Sequence, residues 1–262
     1  MRQVARSTDE FRQLEKIALR AWPSTETIEY DGWVLRASGG YTKRANSVNP
    51  HFGSSLPLDE KLVHCRAFYT KRGLPTIFRL TPFSQPPELD DILADAGYTT
   101  LDRTLVMRTP LDRPLSSNPE VRSVDLDLWF GAFDRLKRPE PAMREPHRRI
   151  VEAAEGDRRF AVVERDGVPA ACGLGVLVDN VVGVFDLFTA EAHRRQGLGS
   201  AVISSILDWA SEQGARAAFL QVHSKNDPAI RLYERFDFEI AYPYWYRIAP
   251  GLEPTPPAQS IL

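Results

Sequence analysis

Phe11, Leu14, Ile17 and Ala18 recur at helical spacing and predict an opening helix, begun by the capping box Ser7-Thr8-Asp9-Glu10 and ended at Trp22-Pro23. The pattern then changes. "GWVLRAS" and "RANSVNPHF" read as two strands joined by the turn-rich "GGYTK". "LDEKLVHCRAFYTKRG" reads as a helix, "LPTIFRL" as a strand, "ELDDILADAG" as a short helix and "TTLDRTLVMRT" as a strand. "PLDRPLSSNPE", at 110–120, is rich in proline and polar residues and is the linker candidate. Beyond it, "VDLDLWFGAFDRLK" and "MREPHRRIVEAAEG" look helical, with "HRRI" at 147–150 read as a wet face and Trp129 and Phe130 as helix-to-sheet packing. Residues 158–189 read as three strands, the first two turned at Asp166-Gly167. Leu198, Val202, Ile206 and Ala210 then form one helical stripe. "ARAAFLQVH", "DPAIRLYERF" and "EIAYPYWYRI" follow as strand, helix and strand. Both halves run in a similar order of elements, a faint sign of duplication.

Composition narrows the class. The chain has 262 residues and 43% hydrophobic content, enough for one large domain or two modest ones. Its 33 basic and 35 acidic residues leave a formal charge of -2, which gives no reason to expect nucleic-acid or membrane partners. No apolar run approaches ~20 residues and the first residues lack a secretory pattern, so a soluble cytoplasmic protein is expected. Cys65 and Cys172 fit a reducing compartment, and five scattered histidines show no metal-ligand spacing.

The candidate chemistry is concentrated in "HRRQGLGS", at the junction between the strand "VVGVFDLFTA" and the striped helix. The first amides of a helix have no intrahelical partner and point outward with partial positive charge. Gly197 and Gly199 permit close approach of an anion, Ser200 offers a hydroxyl, and Arg194 and Arg195 add charge. The stretch lacks the Gly-Lys-Ser/Thr ending of an NTPase P-loop, and the third glycine and distal acid of a dinucleotide fingerprint. On its own it is either a pyrophosphate cradle or a glycine-rich turn.

Arg194-x-x-Gly197-x-Gly199 resembles the acyl-CoA loop of the GNAT superfamily of N-acetyltransferases. Asn226-x-x-Ala229-x-x-Leu232-Tyr233-x-x-x-x-Phe238 is similar to that family's second signature, except that Asp237 stands where glycine is usual. The first half, "DGWVLRASGGYTKRANSVNP", resembles the N-terminal unit of tandem bacterial members. The resemblance implies a mixed α/β fold of two GNAT-like units, each a twisted mixed sheet flanked by helices. Residues 1–112 would form a degenerate unit without a cofactor loop, and 121–248 the acetyl-CoA-binding domain. Residues 249–262 are expected to be a disordered tail.

It further implies acetyl-CoA as co-substrate, held by Leu187, Phe188 and Thr189 along the strand and by Arg194, Arg195, Gln196, Gly197, Leu198, Gly199 and Ser200 at the loop. Asn226 either holds the cofactor arm or caps the next helix, and Tyr233 matches the family's general acid. Asp186, Glu191, His193 and His223 are candidates for the base, unless a water chain or the first unit supplies it. Strand alternation sends Asp186 to the face opposite Phe185. Arg36, Arg44 and Asn46, and the aromatic run Tyr242, Tyr244, Trp245 and Tyr246, are either acceptor-facing or structural. The expected reaction is direct acetyl transfer to an amine, from a small molecule to a peptide or protein. A CoA-sensing or interaction module without turnover, and a domain binding another diphosphate, are the rival readings. No metal is implied, and a homodimer through strand edges or the first unit is left open.

Overall fold

Asp31-Gly32 and Asp166-Gly167 carry φ values of 42° and 81°, and 52° and 74°. Paired positive dihedrals match the twist of antiparallel strands, so each Asp-Gly reverses the chain in two residues. The first turn joins β1 (Glu26–Tyr30) to β2 (Trp33–Ala37). The second joins β7 (Asp157–Arg165) to β8 (Val168–Val178). β1 is absent from the sequence prediction although its Asp-Gly signal was present. The predicted strand "RANSVNPHF" shrinks to β3 (Val48–Asn49), because a 3-10 turn at Lys43–Ala45 precedes it. Asn46 holds that turn: its Oδ1 accepts from the Ser38 and Gly40 amides and its Nδ2 donates to the Thr42 carbonyl.

The computed structural model describes residues 8–112 and 119–251. Ser7 of the capping box, the middle of the linker candidate and most of the expected tail lie outside them. Ala249, assigned to that tail, is buried and donates to the Thr76 carbonyl at 3.0 Å. The remaining strands are β4 (Ile77–Leu80), β5 (Thr99–Pro110), β6 (Arg122–Ser123), β9 (Val181–Thr189), β10 (Ala217–His223) and β11 (Glu239–Ile248). The helices are α1 (Thr8–Ala21), α2 (Leu58–Thr70), α3 (Leu89–Asp95), α4 (Leu126–Lys137), α5 (Pro141–Ala153), α6 (Leu198–Glu212) and α7 (Asp227–Glu234).

The α/β class with a mixed sheet is as the sequence predicts. The expected two sheets, however, are continuous: the described strands form one sheet in the order β1-β2-β3-β4-β11-β5-β10-β9-β8-β7-β6. β5, from the first half, joins them. It pairs antiparallel with β10 on one edge and with β11 on the other. β11 in turn pairs with β4. Each half therefore satisfies backbone groups that the other would leave as a bare edge.

One face of the sheet is covered by α1, α4 and α5, with Leu14, Trp129, Phe133, Ile150 and Phe185 in a single apolar cluster. Trp129 is fully buried and donates its indole N–H to the Gly173 carbonyl. On the other face, the predicted α6 stripe of Leu198, Val202, Ile206 and Ala210 is buried. A third cluster, including Trp33, Tyr69 and Phe78, lies under α2 and α3.

A buried charge pair ties α1 to the sheet. Arg79 on β4 donates two hydrogen bonds to Glu15 on α1, at 2.6 and 2.9 Å, and Tyr242 on β11 donates a third at 2.6 Å. These contacts hold the Glu15 carboxyl well below its ordinary range despite full burial. His51 lies 4.0 Å from Glu15, and burial lowers its pKa from 6.5 to about 4. The folded chain thus refuses a proton that the unfolded chain accepts. That stability is complete above pH 6.5 and is lost as pH falls towards 4. We expect about 3 kcal/mol of acid destabilisation from this group, and urea midpoints of His51→Gln should be flatter than wild type between pH 6.5 and 5. Parallel pH profiles would show that His51 contributes nothing.

Candidate active site

The parallel ladder between β9 and β10 runs from Val181–Ala217 to Val184–Leu220 and stops. β9 continues to Thr189, still paired to β8, and β10 continues to His223, still paired to β5. The strands are held on their outer edges and part on their inner ones. Phe185 to Thr189 therefore border a gap into which a ligand can offer hydrogen-bonding groups in place of a strand. The sequence-predicted residues Leu187, Phe188 and Thr189 lie along it.

A bulge sits where the gap begins. Leu174 pairs with Phe185 and Cys172 with Phe188, so two residues of β9 oppose Gly173 alone. The extra residue is Asp186, with φ 47°. Simple alternation fails here, and Asp186 does not lie opposite Phe185 as the sequence predicted. Its Oδ2 is 2.8 Å from Nε2 of His147, on the face covered by α5. His147 is buried against Tyr41, Phe130 and Phe133, and Trp22 lies against both His147 and Phe185. Asp186 is a half-buried carboxylate positioned by a buried imidazole, where the gap begins. His147 was missed because "HRRI" read as a wet face. Only Arg148 and Arg149 reach solvent there. The signal was available: Met143, His147, Ile150 and Ala154 recur at the spacing of a buried stripe.

At the far end of β9, Glu191–His193 make a 3-10 turn and the loop enters α6. Arg195 and Gly197 have φ 60° and 82°. Alternation of left-handed and ordinary backbone turns successive N–H groups to one side, the geometry of an anion nest. The first backbone bond of α6 is Ala201 N–H to Gly197 O. Among the described residues, no amide from Arg195 to Ser200 donates to a backbone carbonyl. A Cβ on Gly197 would meet nothing within 4 Å, so the nest is open. Arg194, Arg195 and Gln196 are exposed around it. At Gly199, a Cβ would meet Leu232 Cδ2 at 3.2 Å and Thr189 Oγ1 at 3.7 Å. Both motifs and the end of β9 thus converge on one glycine.

Asn226 caps α7, its Oδ1 accepting from the Ala229 amide at 3.3 Å. Asp237, in place of the usual glycine, adopts φ 58°, a conformation aspartate tolerates. Tyr233 is buried on α7, and burial raises its phenol above its ordinary pKa, so the hydroxyl keeps its proton at neutral pH. Glu191 is exposed and His193 half-buried on the loop, away from the bulge in sequence. His223 accepts from the Lys225 amide through Nδ1 and stands 3.9 Å from Asp102. Cys172 is fully buried and its thiol is pushed up by burial, while Cys65 is pushed up to about 12. Neither is an available thiolate nucleophile.

Arg36 and Asn46 of the first half are structural: both are buried and bonded to backbone. Tyr242, Tyr244 and Tyr246 pack on the α1 face, and Trp245 points the other way to Asp90.

The chain is similar to known proteins over most of its length. The family described as "Probable histone acetyltransferase Rv0428c C-terminal" matches residues 8–247. An uncharacterized N-acetyltransferase, YobR of Bacillus subtilis, is 31% identical over 248 residues, covering 92% of this chain and 99% of the relative. The probable histone acetyltransferase Rv0428c of Mycobacterium tuberculosis is 25% identical over 229 residues, covering 82% of this chain and 67% of that protein. Among solved structures, a GCN5-related N-acetyltransferase from Kribbella flavida superposes with a TM-score of 0.67 at 20% identity, covering 92% of this chain and 93% of the other.

Proposed function

The chain belongs to that Rv0428c C-terminal family of GNAT N-acetyltransferases, and from this premise we propose that it transfers the acetyl group of acetyl-CoA directly to an amine at the gap between β9 and β10. The observation that carries the reading is the ladder that stops at Val184–Leu220 with an open amide nest at the end of the same strand.

In this reading the amides of Arg195 to Ser200, with Arg194 and Arg195, hold the pyrophosphate of acetyl-CoA. The edge of Leu187, Phe188 and Thr189 pairs with the amide groups of the pantetheine arm. A backbone N–H at the bulge donates to the thioester oxygen as charge develops there. Asp186, oriented by His147, takes a proton from the acceptor amine, whose nitrogen forms the new C–N bond. The C–S bond breaks, and Tyr233 gives its proton to the departing thiolate. One acetamide and one free thiol result, and proton exchange with solvent restores Asp186 and Tyr233.

We also take residues 1–112 as the degenerate unit and 121–248 as the acetyl-CoA-binding unit, since no Arg-x-x-Gly-x-Gly loop occurs before residue 120. No helix among the described residues is long and apolar enough to cross a membrane. The reading includes a cytoplasmic location, where acetyl-CoA would be supplied.

Thiol release from acetyl-CoA across an amine panel tests the activity. Tyr233→Phe is expected to lower kcat by ~10²–10³-fold with KM for acetyl-CoA within about threefold, since it removes a proton needed only as the thiolate leaves. An unchanged kcat would remove Tyr233 from the mechanism. No thiol release with any amine would sink the transfer reading.

A further inference from the structure

A second, small cleft is joined to the start of the bulge through Arg44, whose guanidinium stands over Phe185. It lies between α1, the loop after β2, β4 and the end of β10 that has left β9, and is lined by Glu15, Trp22, Arg36, Arg44, Arg79 and Gln221. Its charge is unbalanced: three guanidinium groups face one carboxylate. Both oxygens of Glu15 are already taken, by the two bonds from Arg79 and by Tyr242. Arg36 spends its donors on the neutral carbonyls of Leu19, Trp22 and Arg44. Arg44 makes no ion pair with any carboxylate of the described residues. Its guanidinium instead stands over the rings of Trp22 and Phe185, at 5.2 and 5.7 Å. With its guanidinium over aromatic rings and no carboxylate partner among the described residues, Arg44 has a fork of N–H groups able to bind a carboxylate with two bonds.

The same aromatic pair connects this cation to an anion. Trp22 stacks on Phe185 at 5.0 Å and lies 5.9 Å from His147, which holds Asp186. Asp186 directly follows Phe185 in the chain. Tyr41 stacks on His147, and both Asp186 and Arg44 act electrostatically on its phenol. A cationic group without a carboxylate partner and a half-buried carboxylate thus flank one platform. A simple polyamine or a lysine-rich peptide would meet uncompensated positive charge here. A zwitterion would meet complementary charge at both ends.

We propose that the acceptor is an amine that also carries a carboxylate, an amino acid or a close derivative, with its carboxylate on Arg44 and its amine at Asp186. The role of acceptor rests on the acetyl-transfer reading; the binding preference stands by itself.

The test is calorimetric titration of the full chain, saturated with CoA, with matched pairs that differ by the carboxylate alone: phenylalanine against phenethylamine, and lysine against cadaverine. We expect the acid of at least one pair to bind tighter by roughly tenfold or more, as charge-assisted bonding to a fork implies. Arg44→Met should bring that acid to the level of its amine, and Arg44→Lys, which keeps charge but not the fork, should fall between. Retained acetyl-CoA binding by both variants serves as the folding control. Equal binding within the pairs, no binding by any of them, or a preference that survives Arg44→Met would overturn the inference. Thiol release with acetyl-CoA is measured on the same compounds. Preference without release leaves this cleft standing and the transfer reading fallen, and release without preference does the reverse.

Discussion

Replacing Gly197 with tryptophan is expected to weaken acetyl-CoA binding by at least ~100-fold, with the fold retained. Two effects act together. Gly197 has φ 82°, a conformation that costs a residue with a side chain roughly 1–2 kcal/mol. The space ahead of its Cα is empty, so nothing in the protein opposes the new side chain. The indole therefore occupies the volume onto which the Arg195–Ser200 amides open. In the proposed reading the pyrophosphate needs those amides, so the indole would exclude it sterically and remove its hydrogen bonds. Gly197→Ala separates the two effects, because it carries the backbone strain but little bulk, and should cost affinity by about tenfold or less. Calorimetric titration with acetyl-CoA reads both variants, with circular dichroism to confirm folding. Affinity of the tryptophan variant within about threefold of wild type would mean that "HRRQGLGS" is only a turn into α6.

Glu15→Leu is expected to be the most damaging single change to stability. Glu15 and Arg79 are each only 2% exposed, so water cannot replace a lost partner. Removing the carboxylate leaves the Arg79 guanidinium buried without its counter-charge and leaves the Tyr242 hydroxyl without its acceptor. Breaking one side of a buried pair costs about 3–5 kcal/mol. For a chain of this size that corresponds to a fall in Tm of roughly 10 °C. The double change Glu15→Leu with Arg79→Met removes the stranded charge as well and should recover much of the loss. If the double variant is no more stable than Glu15→Leu alone, the pair is not the source of the cost. The pair links α1, β4 and β11, elements that are far apart in the chain, so its loss should also loosen the cleft that α1 helps to line.

Much of this molecule is written locally. The stripe of Leu198, Val202, Ile206 and Ala210 specifies a helix with one buried face, and the structure buries all four. The Asp166-Gly167 turn and the amide-rich loop at 194–200 depend on backbone preferences of a few consecutive residues, and both lie where the sequence put them. Even the Asp237 substitution kept its local logic, with φ 58°. The expectations that failed were those that depended on distant partners. A strand's pattern says which residues alternate but not where an extra one is inserted, so the Asp186 bulge and its effect on facing were illegible. His147 took its role from Asp186, 39 residues away, rather than from its charged neighbours.

Most of the helices and strands, the glycine-rich loop into α6 and the two signatures shared with the family were legible in the chain alone, because each rests on periodicity or dihedral preference within a short window. Only the tertiary structure decided that β5 inserts between β10 and β11, that β9 and β10 part after Val184, and that Arg44 stands with Trp22 and Phe185 beside Asp186. These are pairings between segments tens to hundreds of residues apart. Their free energy comes from satisfying backbone edges and burying rings against one another, and no single segment carries a record of its partner.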